Sequence, residues 1–312
     1  TTSAAAEWHI RDDATGGDCV SVGNWDTGTK TCTLTQDLSQ GIIIDSDNIT
    51  LDGNGHGING PSSNIPEKGV YLLERTGDTI KNLNVRGFEF GIYLESSLSN
   101  TLMGNIVSNN YSSGIYLILS NNNILTDNTA NSNNYNGIFL IESSNNTLTD
   151  NTARENRNNF DIAVQASVDN YCNNSITNTT GSGGRPIKYF SSAVNLSNET
   201  LSELILCNAD GSNIDNVTID DGSAITKNNG LILNWTDSST ITNVNSSNNF
   251  NGIYLSYSNN NTLTGNTASN NAYVGINLDH SNNNNTLTGN TASNNTNGVV
   301  IYGSSNILTD NT

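Results

Sequence analysis

The chain has 312 residues, 34% hydrophobic and only 13% charged, and its 11 Lys and Arg face 29 Asp and Glu for a net charge of −18. That imbalance excludes a nucleic-acid partner, whose phosphates must be met by cations, and an anionic membrane surface. No apolar run approaches the roughly 20 residues that span a bilayer, so no membrane insertion is expected.

Residues 1–40 carry Trp8, Trp25, Cys19 and Cys32 and read as an N-terminal cap, since the first coil of a stacked fold needs its open strand edge covered. The chain begins at Thr1 rather than Met, which suits a processed, secreted protein at the cell surface.

From residue 41 to 171 a phrase recurs, Gly followed by apolar-x-apolar, at Gly69, Gly91, Gly114 and Gly137, in steps of 22 or 23 residues. A second phrase, read as TLMGN, ILTDN and TLTDN, places Leu102, Leu125 and Leu148 three residues before Asn105, Asn128 and Asn151. Short apolar alternation bounded by Asn, Ser and Gly is strand patterning, with no helical periodicity to compete. Three short strands per period describe one coil of a parallel β-solenoid whose coils stack at about 4.8 Å. The recurring Asn reads as an internal ladder, each amide bonding its equivalents above and below. Leu83 and Val244 take its place in two coils, an exchange that suits an inward position.

Residues 172–229 read as irregular coils with a longer loop, holding Cys172, Cys207 and the segment RPIKYF. Four cysteines suit two disulfides in an oxidising compartment, with three connectivities open. Regular coils resume over 230–312, with Gly230, Gly252, Gly275 and Gly298 and the ladder residues Asn266, Asn290 and Asn311. The chain stops at Thr312 inside a repeat, which reads as an uncapped end.

These phrases carry a resemblance. CTLTQDL, GIIIDSDNITLDGNGHGI, RTGDTIKNLNVRGFEFGIYL and the NNTLTGNTASNN copies resemble the right-handed parallel β-helix repeats of NosD-like, or CASH-domain, proteins, over nearly the whole chain. Many of these are exported by archaea or bacteria. The resemblance implies an all-β, single right-handed parallel β-helix. It leaves function open among carbohydrate-binding proteins, polysaccharide lyases, epimerases and surface proteins. Copper, tied to the name-giving member, favours His, Met and Cys. One Met (Met103) and three scattered His (His9, His56, His280) make a copper site unexpected.

Chemistry is sparse. A lyase or epimerase needs a base beside a charge neutraliser, and Arg185, Lys188 and Tyr189 are the local candidates. His280 beside Asp279 reads as a surface pair. Asp45, Asp47 and Asp52, or Asp215, Asp220 and Asp221, could face each other as glycosidase carboxylates or bind Ca²⁺. No resident metal or other cofactor is expected. An outward aromatic file, Tyr71, Tyr93, Tyr116, Phe139 and Tyr254, suits contact with carbohydrate or another subunit. A second file lies ahead of the glycines: Tyr111, Tyr135, Phe160, Phe250 and Tyr273. Thirteen N-x-S/T sequons, at Asn48, Asn110, Asn145, Asn173, Asn178, Asn195, Asn198, Asn216, Asn234, Asn245, Asn260, Asn284 and Asn294, are candidates for covalent glycans.

Repetition without a catalytic cluster leads to the expectation of a non-enzymatic, glycosylated structural protein, a self-assembling subunit of a filament, sheath or surface layer. A carbohydrate-binding module that uses the aromatic file on a cell-surface polysaccharide is the alternative. A polysaccharide lyase or epimerase is the enzymatic one.

Overall fold

The computed structural model describes residues 7–61, 67–157, 160–220, 222, 227–280 and 282–312. Asp221 lies outside the described residues. Two compact units are formed, one of residues up to 157 with 161–165 and the other including 166–312.

Each unit is a parallel β-helix with three sheets. In the first unit one sheet stacks Trp8–Ile10, Ile42–Ile44, Lys68–Leu73, Phe90–Glu95, Ile115–Ile118, Ile138–Ile141 and Ile162–Gln165. Its register aligns Ile92, Ile115 and Ile138, and beside them Leu94, Leu117 and Leu140, all fully buried. Alternate side chains of a strand face opposite ways, so the residues between them point outward. The TLT phrases form the second sheet, which aligns Leu51, Ile80, Leu102, Leu125 and Leu148. A third, shorter sheet joins Gly57–Asn59, Asn84–Arg86 and Ile106–Val107.

The second unit repeats the plan. Pro186–Phe190, Glu203–Cys207, Leu231–Asn234, Asn251–Ser256, Val274–Asp279 and Asn297–Ile301 run side by side, and Ile214, Ile241, Leu263, Leu287 and Leu308 align in its second sheet. Gly91, which opens one GIYL phrase, is required by space. A Cβ there would lie 2.1 Å from Val107 Cγ1.

At the N-terminal end a one-turn helix, Cys19–Val22, and an antiparallel pair, Gly23–Asp26 with Thr31–Leu34, precede the regular coils. Cys19 pairs with Cys32, and Cys172 with Cys207.

The Asn ladder is present and larger than the sequence indicates. Asn128 Oδ1 accepts from the backbone N–H of Asn105 (3.1 Å) and from its Nδ2 (2.9 Å). Asn128 Nδ2 donates to the carbonyl of Leu102 (2.9 Å). Asn151 below and Asn266, Asn290 and Asn311 in the second unit repeat the pattern. Where Leu83 and Val244 stand in the column, their backbone N–H groups still donate to Asn105 and Asn266. Two further columns occupy the other bends: Asn100, Asn123 and Asn146, and Asn110, Asn133 and Asn156. Their counterparts are Asn261 with Asn285, and Asn249 with Asn271. Each amide meets backbone groups that a bend would otherwise bury unpaired.

One column begins with an acid. Asp78 is 1% exposed, its Oδ1 accepts from Ile49 N–H (2.7 Å), and its own N–H donates to Asn100 Oδ1 (2.8 Å). Its Oδ2 sits where the other members carry an amide nitrogen and has no hydrogen-bond partner. Burial pushes its pKa up to about 7; Asp47 adds to the rise and Arg75 opposes it. The folded chain therefore keeps a proton that the unfolded chain releases near the ordinary carboxylate value. The resulting stability is full below about pH 4, falls as pH rises, and is gone above about 7.

Two predictions follow from the columns. Asp78→Asn should flatten the loss of stability between pH 4 and 7 and raise stability at pH 8 by on the order of 4 kcal/mol in denaturant titrations. An unchanged pH profile contradicts this. Asn128→Ala should cost at least about 2 kcal/mol, because it strands the Leu102 carbonyl and the Asn105 amide in the core.

Candidate functional site

The outward face of the first unit's sheet that contains Lys68–Leu73 and Phe90–Glu95 brings the expected aromatic file together. Tyr71, Tyr93, Tyr116 and Phe139 lie in direct register on successive strands. Strand spacing sets their separation, so Tyr71 stacks on Tyr93 at 5.3 Å, Tyr93 lies tilted by 40° against Tyr116 at 5.0 Å, and Tyr116 meets Phe139 edge-on at 5.5 Å. Phe90, which the sequence does not single out, widens the strip by packing 5.2 Å from Tyr93 and 4.8 Å from Tyr116. The rings progress from near-parallel at one end to perpendicular at the other, and each is half-buried.

Charged groups gather at the Tyr71 end. Lys68 Nζ lies 3.9 Å from the Tyr71 ring centroid and 4.9 Å from that of Tyr93, within cation–π range. The Tyr71 hydroxyl donates to Glu95 Oε2 at 2.6 Å. Burial first, then this carboxylate, pushes the Tyr71 phenol far above its usual range. Burial, with Glu95 and Tyr116 adding charge, pushes Tyr93 up to about 12, and burial with Glu95 raises Tyr116. At neutral pH all three keep their protons, and Tyr71 is aimed at a carboxylate.

Tyr254 of the second unit occupies the equivalent outward position there, beside Ile232 and Asn277 in register. Its hydroxyl donates to Asp279 Oδ2 at 3.0 Å. In the second expected file Phe250 stacks on Tyr273 at 5.6 Å.

The lyase candidates do not converge. Tyr189 is buried and its hydroxyl donates to the Cys172 carbonyl, so burial holds the phenol protonated. Lys188, on the opposite side of the strand, binds Glu199 Oε1 at 2.5 Å, and Arg185 pairs with Asp220 at 3.2 Å. A cleft of about 520 Å³ lies here, lined by Thr177, Thr179, Pro186, Lys188 and Tyr189 among others, but it offers no base.

The acidic candidates are likewise dispersed on separate partners: Asp45 on His9, Asp47 beside Arg75, Asp52 on Lys81, and Asp215 on Thr242 and Asn243. Of the sequon residues, Asn48, Asn145, Asn178, Asn198, Asn216, Asn260, Asn284 and Asn294 stand in exposed left-handed turns. Asn173, Asn195 and Asn245 are exposed, Asn234 is buried, and Asn110 is a buried ladder residue closed to modification.

A family model described as periplasmic copper-binding protein (NosD) matches residues 23–198 and 191–312. The chain belongs to the NosD family. Copper does not fit this member's donor set. All four Cys are in disulfides, Met103 stands half-exposed, and His9, His56 and His280 each pair with a different carboxylate. Among the described residues no three His, Cys, Asp or Glu side chains cluster as metal ligands.

No curated protein matches the chain significantly. Solved structures similar to this NosD-family chain include the periplasmic alginate epimerase AlgG, at 14% identity and a TM-score of 0.48, covering 97% of this chain and 76% of the epimerase. The A-module of the Azotobacter vinelandii mannuronan C-5 epimerase AlgE6 gives 16% and 0.49, over 98% and 88%. The catalytic domain of a GH87 α-1,3-glucanase gives 13% and 0.44, over 99% and 63%. At these identities the likeness shows the fold alone. It does correct the expectation of a non-enzymatic filament subunit. The structures just named are two polysaccharide epimerases and a glucanase, none of them a filament subunit.

Replacing Glu95 tests the electrostatics of the strip. Glu95→Gln should lower the alkaline ionisation midpoints of Tyr93 and Tyr116 in an ultraviolet titration, while burial keeps both above that of free tyrosine. Midpoints that do not move would show that the carboxylate is screened from the rings.

Proposed function

We propose that the chain binds and acts on an uncharged polysaccharide laid along the aromatic strip of the first unit, with Lys68, Tyr71 and Glu95 as its proton-transfer centre. The observation that carries this reading is the convergence of a cation, a protonated phenol and a carboxylate at one end of a half-buried aromatic ribbon. Aromatic rings bind the C–H faces of sugars through apolar and dispersion contact, and the polar groups beside them orient the hydroxyls.

The chemistry follows from the protonation states. Tyr71, held protonated far above its usual range, keeps its proton and is the hydrogen-bond donor that orients Glu95. Glu95, 2.6 Å away, is the group that receives a proton. Lys68 supplies positive charge where an oxygen gains negative charge during reaction. An uncharged substrate is favoured because Glu7 and Glu89 also act on the tyrosines of the strip and the whole chain carries −18. Like charge on a polymer would be repelled. The two disulfides support placing the chain outside the reducing cytoplasm, where such polymers are met.

Binding and turnover separate in the variants. In affinity electrophoresis through neutral glucans, mannans and galactans, Tyr93→Ala with Tyr116→Ala should abolish retardation by the ligand. Glu95→Gln and Tyr71→Phe should retain it while product release falls by at least about a hundredfold. Absence of retardation by any neutral polysaccharide, or full turnover by Glu95→Gln, overturns the reading.

A further inference from the structure

In the second unit, three residues that follow successive strands of the longest sheet stack their rings. Trp235 lies on Tyr257 at 4.6 Å with 8° between planes, and Tyr257 on His280 at 5.4 Å with 25°. All three have left-handed backbone, with φ of 50°, 51° and 46°, where bulky side chains are uncommon. In the first unit the corresponding left-handed turns hold Glu74, Ser96, Leu119 and Glu142, so the turn itself does not call for rings. Trp235 is fixed from below, its Nε1 donating to the Ala166 carbonyl at 2.9 Å.

The other end of the column is open. The register that sets Leu278 beside Ile301 brings Gly303 to the place after His280, so the next coil offers no side chain there. The His280 side chain is 57% exposed. Polar groups surround this end: Asp279 Oδ2 lies 3.0 Å from His280 Nδ1 and also accepts from Tyr254. Tyr302, which follows Ile301, is largely exposed. Asn277, in register with Tyr254, is 8% exposed, and its Oδ1 is buried without a hydrogen-bond partner.

We infer that the open end of the Trp235–Tyr257–His280 column is a second sugar subsite, at which one uncharged pyranose unit lies against the exposed face of His280 and donates its hydroxyls to Asp279. The Trp235 anchor makes the column rigid, so little order is lost when a ring is added to it. A phosphate or carboxylate ligand would meet the Asp279 charge. A wholly apolar ligand would desolvate that carboxylate without replacing its hydrogen bonds. A sugar avoids both costs. The inference rests on the polysaccharide reading of the chain, but it stands on residues that the first strip does not use.

The imidazole itself reports occupancy. In ¹H–¹³C spectra of the full chain, the His280 Hε1 signal, assigned through His280→Ala, should shift on titration with neutral hexasaccharides of the glucose and mannose series. The shift should persist when Tyr93→Ala and Tyr116→Ala disable the first strip. Asp279→Asn should weaken it by about tenfold in concentration dependence. His280→Phe, which keeps a ring at the column end, should retain oligosaccharide binding when the first strip is disabled, and His280→Ala should lose it. If the signal stays still while the first strip binds sugar, or moves only when that strip is intact, the second subsite is refuted and the reading of the first survives. If neither region responds to any neutral sugar, both fall.

Discussion

Everything in this structure depends on how buried backbone is satisfied at the bends between strands. A chain with only 34% hydrophobic residues has little apolar material for a core, and each coil must turn three times without exposing its peptide groups. The Asn columns solve this locally. The typical column amide accepts a backbone N–H from the coil before it and donates to a carbonyl of that same coil, as Asn128 does with Asn105 and Leu102. A polar side chain thereby does inside the protein what water does outside it, and the apolar requirement shrinks to a few aligned aliphatic residues per coil.

The same requirement explains what could be read from the sequence. The strands, the period and one Asn column were legible because Leu102, Leu125 and Leu148 each precede an Asn by three residues. The columns through Asn100 and Asn110 carry equally regular spacing. They were hidden in runs such as SNN and NNN, where an inward Asn and a turn Asn are the same letter. Left-handed Asn109, Asn122 and Asn145 sit one residue from buried Asn110, Asn123 and Asn146. Sequons are the casualty of this ambiguity: Asn110 has the motif for modification and no access for it.

The candidate site was legible in part for a related reason. Outward aromatics recur with the period, so Tyr71, Tyr93, Tyr116 and Phe139 could be listed from spacing alone. Lys68, Phe90 and Glu95 could not, because they break the repeat, and a search for recurrence passes over residues that occur once. Arg185, Lys188 and Tyr189 misled in the opposite way. Proximity in sequence suggested a cluster, but strand alternation sends Lys188 and Tyr189 to opposite sides, and each cation already has its carboxylate.

Coil stacking constrains chemistry as well as fold. Equivalent residues of neighbouring coils are held near the strand spacing, and ring centroids accordingly fall between 4.6 and 5.6 Å wherever aromatics align. A side chain two positions along in the next coil is then within hydrogen-bond reach of a tyrosine hydroxyl. Tyr71 meets Glu95 this way in one unit, and Tyr254 meets Asp279 in the other. The scaffold therefore generates tyrosine–carboxylate pairs wherever an acid replaces the usual residue at that offset. Repetition supplies rigidity and spacing, while the charged groups of the proposed site enter at the few positions where the repeat is broken. A nearly uniform solenoid is for this reason compatible with catalysis, and the absence of a clustered motif in its sequence does not argue against it.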